Sequence, residues 1–170
     1  MIQAIVYTSY AGHTKEYAEL LSQRTGLPVY ESRQARAALK KGARILYLGW
    51  LMAGSLKGCK EAVKRFSPAA VCAVGMSEVE AQREDIRKRN GLGADTPLFC
   101  LQGGFEMEKL SGLYKFMMKA MRASVGKQLS AKPDRTPAEE ESLEMLLRGK
   151  NCVSAENLAP VLAWYEENER

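Results

Sequence analysis

The stretch Ile5–Thr14 reads Ile-Val-Tyr-Thr-Ser-Tyr-Ala-Gly-His-Thr, an apolar strand that runs straight into a turn of hydroxyl and glycine residues. A helical pattern follows at once over Lys15–Arg24. A strand–turn–helix of this composition aims several backbone N–H groups at one spot, and the start of the helix adds its partial positive charge there. The expected product is an anion site suited to a phosphate.

Outward from that turn, strand and helix patterns alternate. Strands are expected at Ile2–Tyr7, Pro28–Glu31, Ile45–Gly49, Ala70–Met76 and Pro97–Leu101. Helices are expected at Thr14–Thr25, Ser32–Lys40, Leu56–Phe66 and Val79–Asn90, with Gly26 closing the first and Pro68 stopping the third. The strand runs are apolar throughout rather than alternating, which indicates a parallel sheet covered on both faces. The fold class is therefore α/β, a doubly wound sandwich. Beyond the fifth strand the chain is helical. Leu110, Leu113, Phe116, Met117, Ala120 and Met121 recur at helical spacing in Lys109–Lys127. Thr136 and Glu139 form a capping box ahead of a helix at Pro137–Arg148, and Ser154 caps a last helix carrying Leu158, Val161, Leu162 and Tyr165. On size, the 170 residues make one domain with an extra helical segment at about 109–148.

In a doubly wound sheet the ligand crevice lies beyond the carboxyl ends of the strands. The loops there are Thr8–His13, Trp50–Ser55, Ser77–Glu78 and Gln102–Met107. Three of the four carry glycine or aromatic residues, and that coincidence is the core of the functional expectation.

Composition narrows the class. The chain is 46% hydrophobic and 26% charged, ordinary for a globular protein. It has no apolar run of the roughly 18 residues needed to cross a bilayer. Its start leads directly into a strand, so a cytoplasmic protein is expected. Cys59, Cys72, Cys100 and Cys152 are scattered, and His13 is the sole histidine, so free thiols are expected and no metal site. The net charge is +5 and the pI about 9.0, with positive charge concentrated in Lys57–Arg65, Arg83–Arg89 and Lys109–Arg135. These are either solvated helix faces or a surface that docks on an acidic protein, lipid headgroups or a nucleotide; no nucleic-acid partner is expected. The methionines Met117, Met118 and Met121 read either as core packing or as part of a basic amphipathic helix resting on a membrane or a hydrophobic partner.

Two resemblances sharpen the expectation. The turn after the first strand resembles the phosphate loop of flavodoxins, a hydroxyl-rich Ser/Thr-x-Thr-Gly-Asn-Thr. Ser9, Gly12 and Thr14 match it, His13 stands in for Asn, and Tyr10 and Ala11 stand where Thr is usual. Backbone N–H groups are then left as the main donors to a phosphate. Phe99–Lys127, with Phe-Cys-Leu-Gln-Gly-Gly-Phe and the Met-rich basic stretch after it, is similar to flavodoxin-domain proteins that include menaquinone-dependent protoporphyrinogen dehydrogenase. The resemblance implies a flavodoxin-like three-layer α/β/α sandwich, with a five-stranded parallel sheet in the order 2-1-3-4-5. It implies FMN as cofactor and a redox partner protein or a small acceptor, a quinone among them.

Flavin binding asks for an anion site, a flat apolar slot and backbone groups near the ring's redox-active edge. The expected contacts are Thr8, Ser9, Tyr10, Ala11, Gly12, His13 and Thr14 at the phosphate, and Trp50, Leu51, Met52, Ala53 and Gly54 along the ring. Gly103, Gly104 and Phe105 are expected at its outer edge. Trp50 stacks on the ring or packs on the domain surface, and the two glycines approach the ring or make a plain turn. By resemblance, the small Ala53-Gly54 pair lets a peptide turn toward the flavin N5. No acid–base or nucleophile pair is present. His13 reads as structural or phosphate-adjacent, because the positive end of a helix disfavours a second positive charge.

Three functions remain open on these grounds: an FMN carrier or reductase, a quinone-linked protoporphyrinogen dehydrogenase, and a flavodoxin-like binding domain without FMN. A phosphoacceptor receiver domain fails, since Asp85, Asp95 and Asp134 lie at no strand end and Thr8 and Gly49 hold the decisive places. A dinucleotide-binding domain fails for want of Gly-x-Gly-x-x-Gly after the first strand.

Overall fold

The computed structural model of the chain describes residues 1–76 and 80–169. The expected loop at Ser77–Glu78, and Val79 at the start of the expected charged helix, lie outside the described residues. In chain order the elements are β1 (Ala4–Thr8), α1 (His13–Thr25), β2 (Val29–Glu31), α2 (Ser32–Ala38), β3 (Arg44–Met52), β4 (Ser55–Leu56), α3 (Cys59–Arg65), β5 (Ser67–Gly75), α4 (Arg83–Asn90) and β6 (Leu98–Gln102). Then come β7 (Gly104–Phe105), α5 (Gly112–Ala131), α6 (Pro137–Arg148), β8 (Lys150–Asn151) and α7 (Ala159–Glu169). They fall into two compact units, one formed by Met1–Gly103 with Val153–Arg170 and the other by Gly104–Cys152.

The first unit is a flavodoxin-like three-layer sandwich. Its sheet runs β2-β1-β3-β5-β6, all parallel, with β4 paired antiparallel to β3. Counting the five long strands alone, this is the expected order 2-1-3-4-5. The strands are apolar on both sides because successive side chains serve two different cores. Along β3, Ile45 and Tyr47 join Ala35 of α2, Ala62 of α3 and Ile86 of α4. The intervening Leu46 and Leu48 join Tyr17 and Leu21 of α1 and Val161 of α7. The segment that builds α7 also returns to the sheet's first strand region: Ile2 N–H donates to Glu169 Oε2 at 2.7 Å, and Arg44 forms an ion pair with the same carboxylate.

Several expected boundaries shift, and two of the shifts have a plain cause in the strand pairing. β5 begins at Ser67 rather than Ala70, so Pro68 lies inside the strand it was expected to precede. A bulge makes this permissible: Ile45 is opposite Pro68 and Leu46 opposite Ala70, and β6 does not pair until Val71, so the missing N–H interrupts no ladder. α3 begins at Cys59 rather than Leu56, because Ser55 and Leu56 fold back on Met52 and Leu51 as β4.

The second unit joins α5 and α6 with the two-stranded β7–β8 ribbon. The expected capping box is present: Glu139 N–H donates to Thr136 Oγ1 and Thr136 N–H donates to Glu139 Oε2, at 3.3 and 2.9 Å. Met118 and Met121 are partly buried, whereas Met117 is exposed.

All four cysteines are free thiols. Burial pushes Cys59 up to about 11 and Cys72 to about 12 from an ordinary 9.0. The folded protein keeps protons that the unfolded chain releases above pH 9, so stability present below pH 9 is lost as pH climbs toward those values. Urea unfolding should show a loss of about 2 kcal/mol between pH 9 and 10, and Cys72→Ala should remove about half of it. A flat profile over that interval would contradict the burial of these thiols.

Candidate functional site

The candidate site is built where β1 and β3 end. Four residues separate β1 from α1, and Gly12 immediately precedes the helix at φ 100°, a conformation that an L side chain resists. Gly12 N–H donates to Ser9 Oγ at 3.2 Å, which shapes the loop. The helical ladder opens with Glu16 N–H donating to Gly12 O at 3.0 Å, so the amides of Thr14 and Lys15 lie ahead of it. Gly12, the residue that precedes the helix, has no side chain with which to cap it.

Tyr10 crosses from this loop to the next one. Its ring lies against Trp50 with centroids 5.4 Å apart and planes tilted by 31°, and Lys57 Nζ stands 6.0 Å from the Trp50 ring. Trp50, Leu51 and Met52 are not loop residues. They extend β3, and with β4 they make a hairpin whose turn is Ala53-Gly54. Both turn residues have positive φ, 49° and 75°, the pattern of a two-residue hairpin turn whose twist matches its strands. Ala53 is the only described non-glycine residue with positive φ.

The hairpin is pinned from α4. Asn90 is buried; its Oδ1 accepts from Leu56 N–H at 2.8 Å, and its Nδ2 donates to Gly54 O at 3.0 Å and Ile86 O at 2.7 Å. Arg89 donates to Ala53 O at 2.7 Å. The Ala53 carbonyl, expected near a flavin edge, is thus engaged by a guanidinium.

Thr8 points into a polar network beneath the loops. Its hydroxyl is 2.8 Å from Ser32 Oγ and 2.9 Å from the hydroxyl of Tyr47, which donates to Lys57 O at 2.7 Å. Burial raises the Tyr47 phenol well above its ordinary value, so it stays a neutral donor. His13 and Thr14 are buried at the start of α1. Gly103 closes the same side: its N–H donates to Gly75 O at 2.8 Å, and a Cβ there would meet Val74 Cγ1 at 2.6 Å and His13 Cβ at 3.2 Å. Close approach of the β6 end to β5 and α1 therefore requires glycine. Tyr17 locks the arrangement by donating to Gln102 O at 2.6 Å and accepting from Asn157 Nδ2 at 2.7 Å. Gly104 and Phe105 belong to the second unit, paired with Asn151 and Lys150, and Phe105 is buried.

Ser9 to Thr14, Trp50 to Gly54 and Gly103 are therefore all placed in the doubly wound unit, and Tyr10 and Trp50 are in contact. Asn90, Arg89, Tyr47 and Ser32 support the site without having been expected there. Asn90 precedes Gly91 and reads as an ordinary helix end, and Tyr47 reads as one more apolar strand residue.

The fold and the crevice define the class: a doubly wound α/β protein whose glycine-capped first helix opens beside an aromatic pair. Comparison of the chain with protein-family models, with curated proteins and with solved structures finds no match in any of the three.

The strain at Ala53 and the grip of Asn90 are separable. Relief of a left-handed alanine less the entropy of a new glycine leaves Ala53→Gly more stable by about 0.5 to 1 kcal/mol. That is a rise of roughly 2 °C in melting temperature for a chain of this size. Asn90→Leu strands the Leu56 N–H and should cost about 3 kcal/mol. Calorimetry of both variants checks the account, which fails if Ala53→Gly is the less stable.

Proposed function

We propose that the protein is an FMN-binding flavodoxin-like redox protein that carries electrons, or reduces a small acceptor, through the bound flavin. The observation that carries this reading is the start of α1: Gly12 at positive φ turns the loop into the helix, the amides of Thr14 and Lys15 lie ahead of the helical ladder, and Tyr10 of the same loop meets Trp50. The amides of the Ser9–Thr14 loop hold the phosphate, and the positive end of α1 offsets its charge. A 13-residue helix is long enough for that end to count. Trp50 offers its indole to the ring, with the Ala53-Gly54 turn alongside. When bound, the flavin supplies the electron transfer, which is why the crevice needs no acid–base pair of its own. The four free thiols support a reducing, cytoplasmic setting. Quinone-linked dehydrogenation of a protoporphyrinogen-like compound remains a narrower form of the same proposal.

One observation favours a second reading, a flavodoxin-like binding domain without flavin. Tyr10 covers the Trp50 face on which the ring would stack. An aromatic pair of this kind is worth about 0.5 to 1.5 kcal/mol, so loss of that contact on binding weakens flavin affinity by roughly tenfold.

Titration of the protein with FMN, followed by quenching of flavin and Trp50 fluorescence, tests both readings. Trp50→Phe separates Trp50 from Trp164, and riboflavin serves as the control lacking the phosphate. FMN should bind at least about tenfold tighter than riboflavin, since charge-assisted bonds to amides contribute about 1.5 to 3 kcal/mol. A Cβ at residue 12 meets open space, so Gly12→Val acts through its strained φ. It should loosen FMN by roughly tenfold while sparing riboflavin. Absence of FMN binding at high micromolar concentration leaves the second reading standing. Equal FMN affinity in Gly12→Val removes the phosphate from this loop.

A further inference from the structure

We propose that the layer formed by α2 and α3 docks an electron-transfer protein through an acidic face of that partner. The inference rests on the redox reading above and names its macromolecular partner by charge. Residues 31–66 hold nine of the chain's 25 Lys and Arg residues but only two of its 20 acids, Glu31 and Glu61. α2 and α3 cover the same face of the sheet, with Ala35 and Ala62 entering one core. Arg65 ties them together, donating to the carbonyls of Arg36 and Leu39 at 3.2 and 3.4 Å. Arg33, Arg36, Lys40, Lys41, Lys60 and Lys64 are exposed. Among the described residues, none of these six has an acidic partner within ion-pair distance. Positive charge so concentrated repels itself, and an acidic surface relieves the repulsion.

The patch begins at the candidate site. Ser32, one residue before Arg33, places its Oγ 2.8 Å from Thr8 Oγ1. Gly58, two residues before Lys60, lies so close to Thr8 and Tyr47 that a Cβ would strike both hydroxyls. Lys57 Nζ stands 6.0 Å from the Trp50 ring. A partner seated on these cations is brought beside the place proposed for the flavin.

The neighbouring side chains select the occupant. Among the cations the exposed apolar residues of the two helices are small: Ala37, Ala38 and Val63. α2 and α3 contain no aromatic residue, so a single-stranded nucleic acid finds no ring on which to stack its bases. A bilayer finds no large apolar side chain to take in. In a second copy, the four glutamates of α6, its most acidic helix, are each already paired with a cation. A folded acidic protein suits what remains. Small side chains let it approach closely, and its carboxylates meet the surrounding cations. Encounters between redox proteins are small and steered by charge.

Calorimetry of the protein with an acidic two-iron ferredoxin tests the surface, with and without added FMN. Basic cytochrome c and duplex DNA serve as comparison probes. Ferredoxin should bind at about 0.02 M salt and lose at least about tenfold in affinity by about 0.3 M, while cytochrome c should not bind. Lys60→Glu combined with Lys64→Glu should weaken ferredoxin binding by about tenfold or more. Lys119→Glu combined with Lys127→Glu makes the same change of net charge at exposed positions of α5 and should alter binding by less than about twofold. Circular dichroism checks that both variants keep the fold. Absence of ferredoxin binding, equal losses in the two double variants, or tighter binding to duplex DNA that the patch variant abolishes overturns the proposal. Salt-sensitive self-association in place of ferredoxin binding overturns it as well. Ferredoxin docking without FMN uptake keeps this surface and sinks the redox reading, whereas FMN uptake without docking sinks the surface alone.

Discussion

The crevice depends on one buried hydroxyl. Tyr47 stands in the middle of β3 with its ring in the core below α2, α3 and α4, and its oxygen reaches the carboxyl end of the sheet. There it meets Thr8 at the end of β1 and the Lys57 carbonyl that follows the hairpin, while Ser32 at the start of α2 completes the chain through Thr8. Three segments distant in sequence are thereby held in one register, and two of them, at Thr8 and Lys57, adjoin the candidate site. A buried phenol without those partners would cost about 1 to 3 kcal/mol, so the network is also a condition for packing Tyr47 where it is.

Above that layer, two segments meet. The hairpin is fixed by Asn90 and Arg89 through three backbone atoms of Ala53, Gly54 and Leu56. The loop from Ser9 to Gly12 is turned by Gly12 at positive φ, and the Gly12 N–H donates to Ser9 Oγ. Tyr10 on the loop and Trp50 at the base of the hairpin join the two through their rings.

The layered architecture was legible because both periodicities are plain. Apolar runs such as Ile45–Gly49 have no polar residue to spare for a solvent face, and Gly26 and Thr136 mark helix ends by backbone chemistry alone. The turn of the first loop was legible because Gly12 is where the sharp change of direction must be. Residues acting through tertiary contact were not. Asn90 lies 34 residues from Leu56, and nothing local distinguishes it from a helix-terminal asparagine. The hairpin escaped because its Ala-Gly turn departs from the usual Asn-Gly, and Pro68 misled because a bulge removed the penalty it normally carries. Tyr10 was read as a departure from a phosphate loop, whereas its place in the structure comes from Trp50, a residue on a different strand.

The position of α7 has a bearing on how the chain reaches this state. Leu158 and Val161 lie in the same core as Ile2, Ile5 and Leu46, so that face of the sheet is incomplete until they have left the ribosome. At elongation rates of roughly 5 to 20 residues per second, translation of the Gly104–Cys152 segment alone delays closure by several seconds. During that interval Ile5, Leu46 and Leu48 have only α1 to shield them. Chains paused before residue 158 therefore leave that face of the sheet partly bare, and completion of the fold waits on the last segment to emerge.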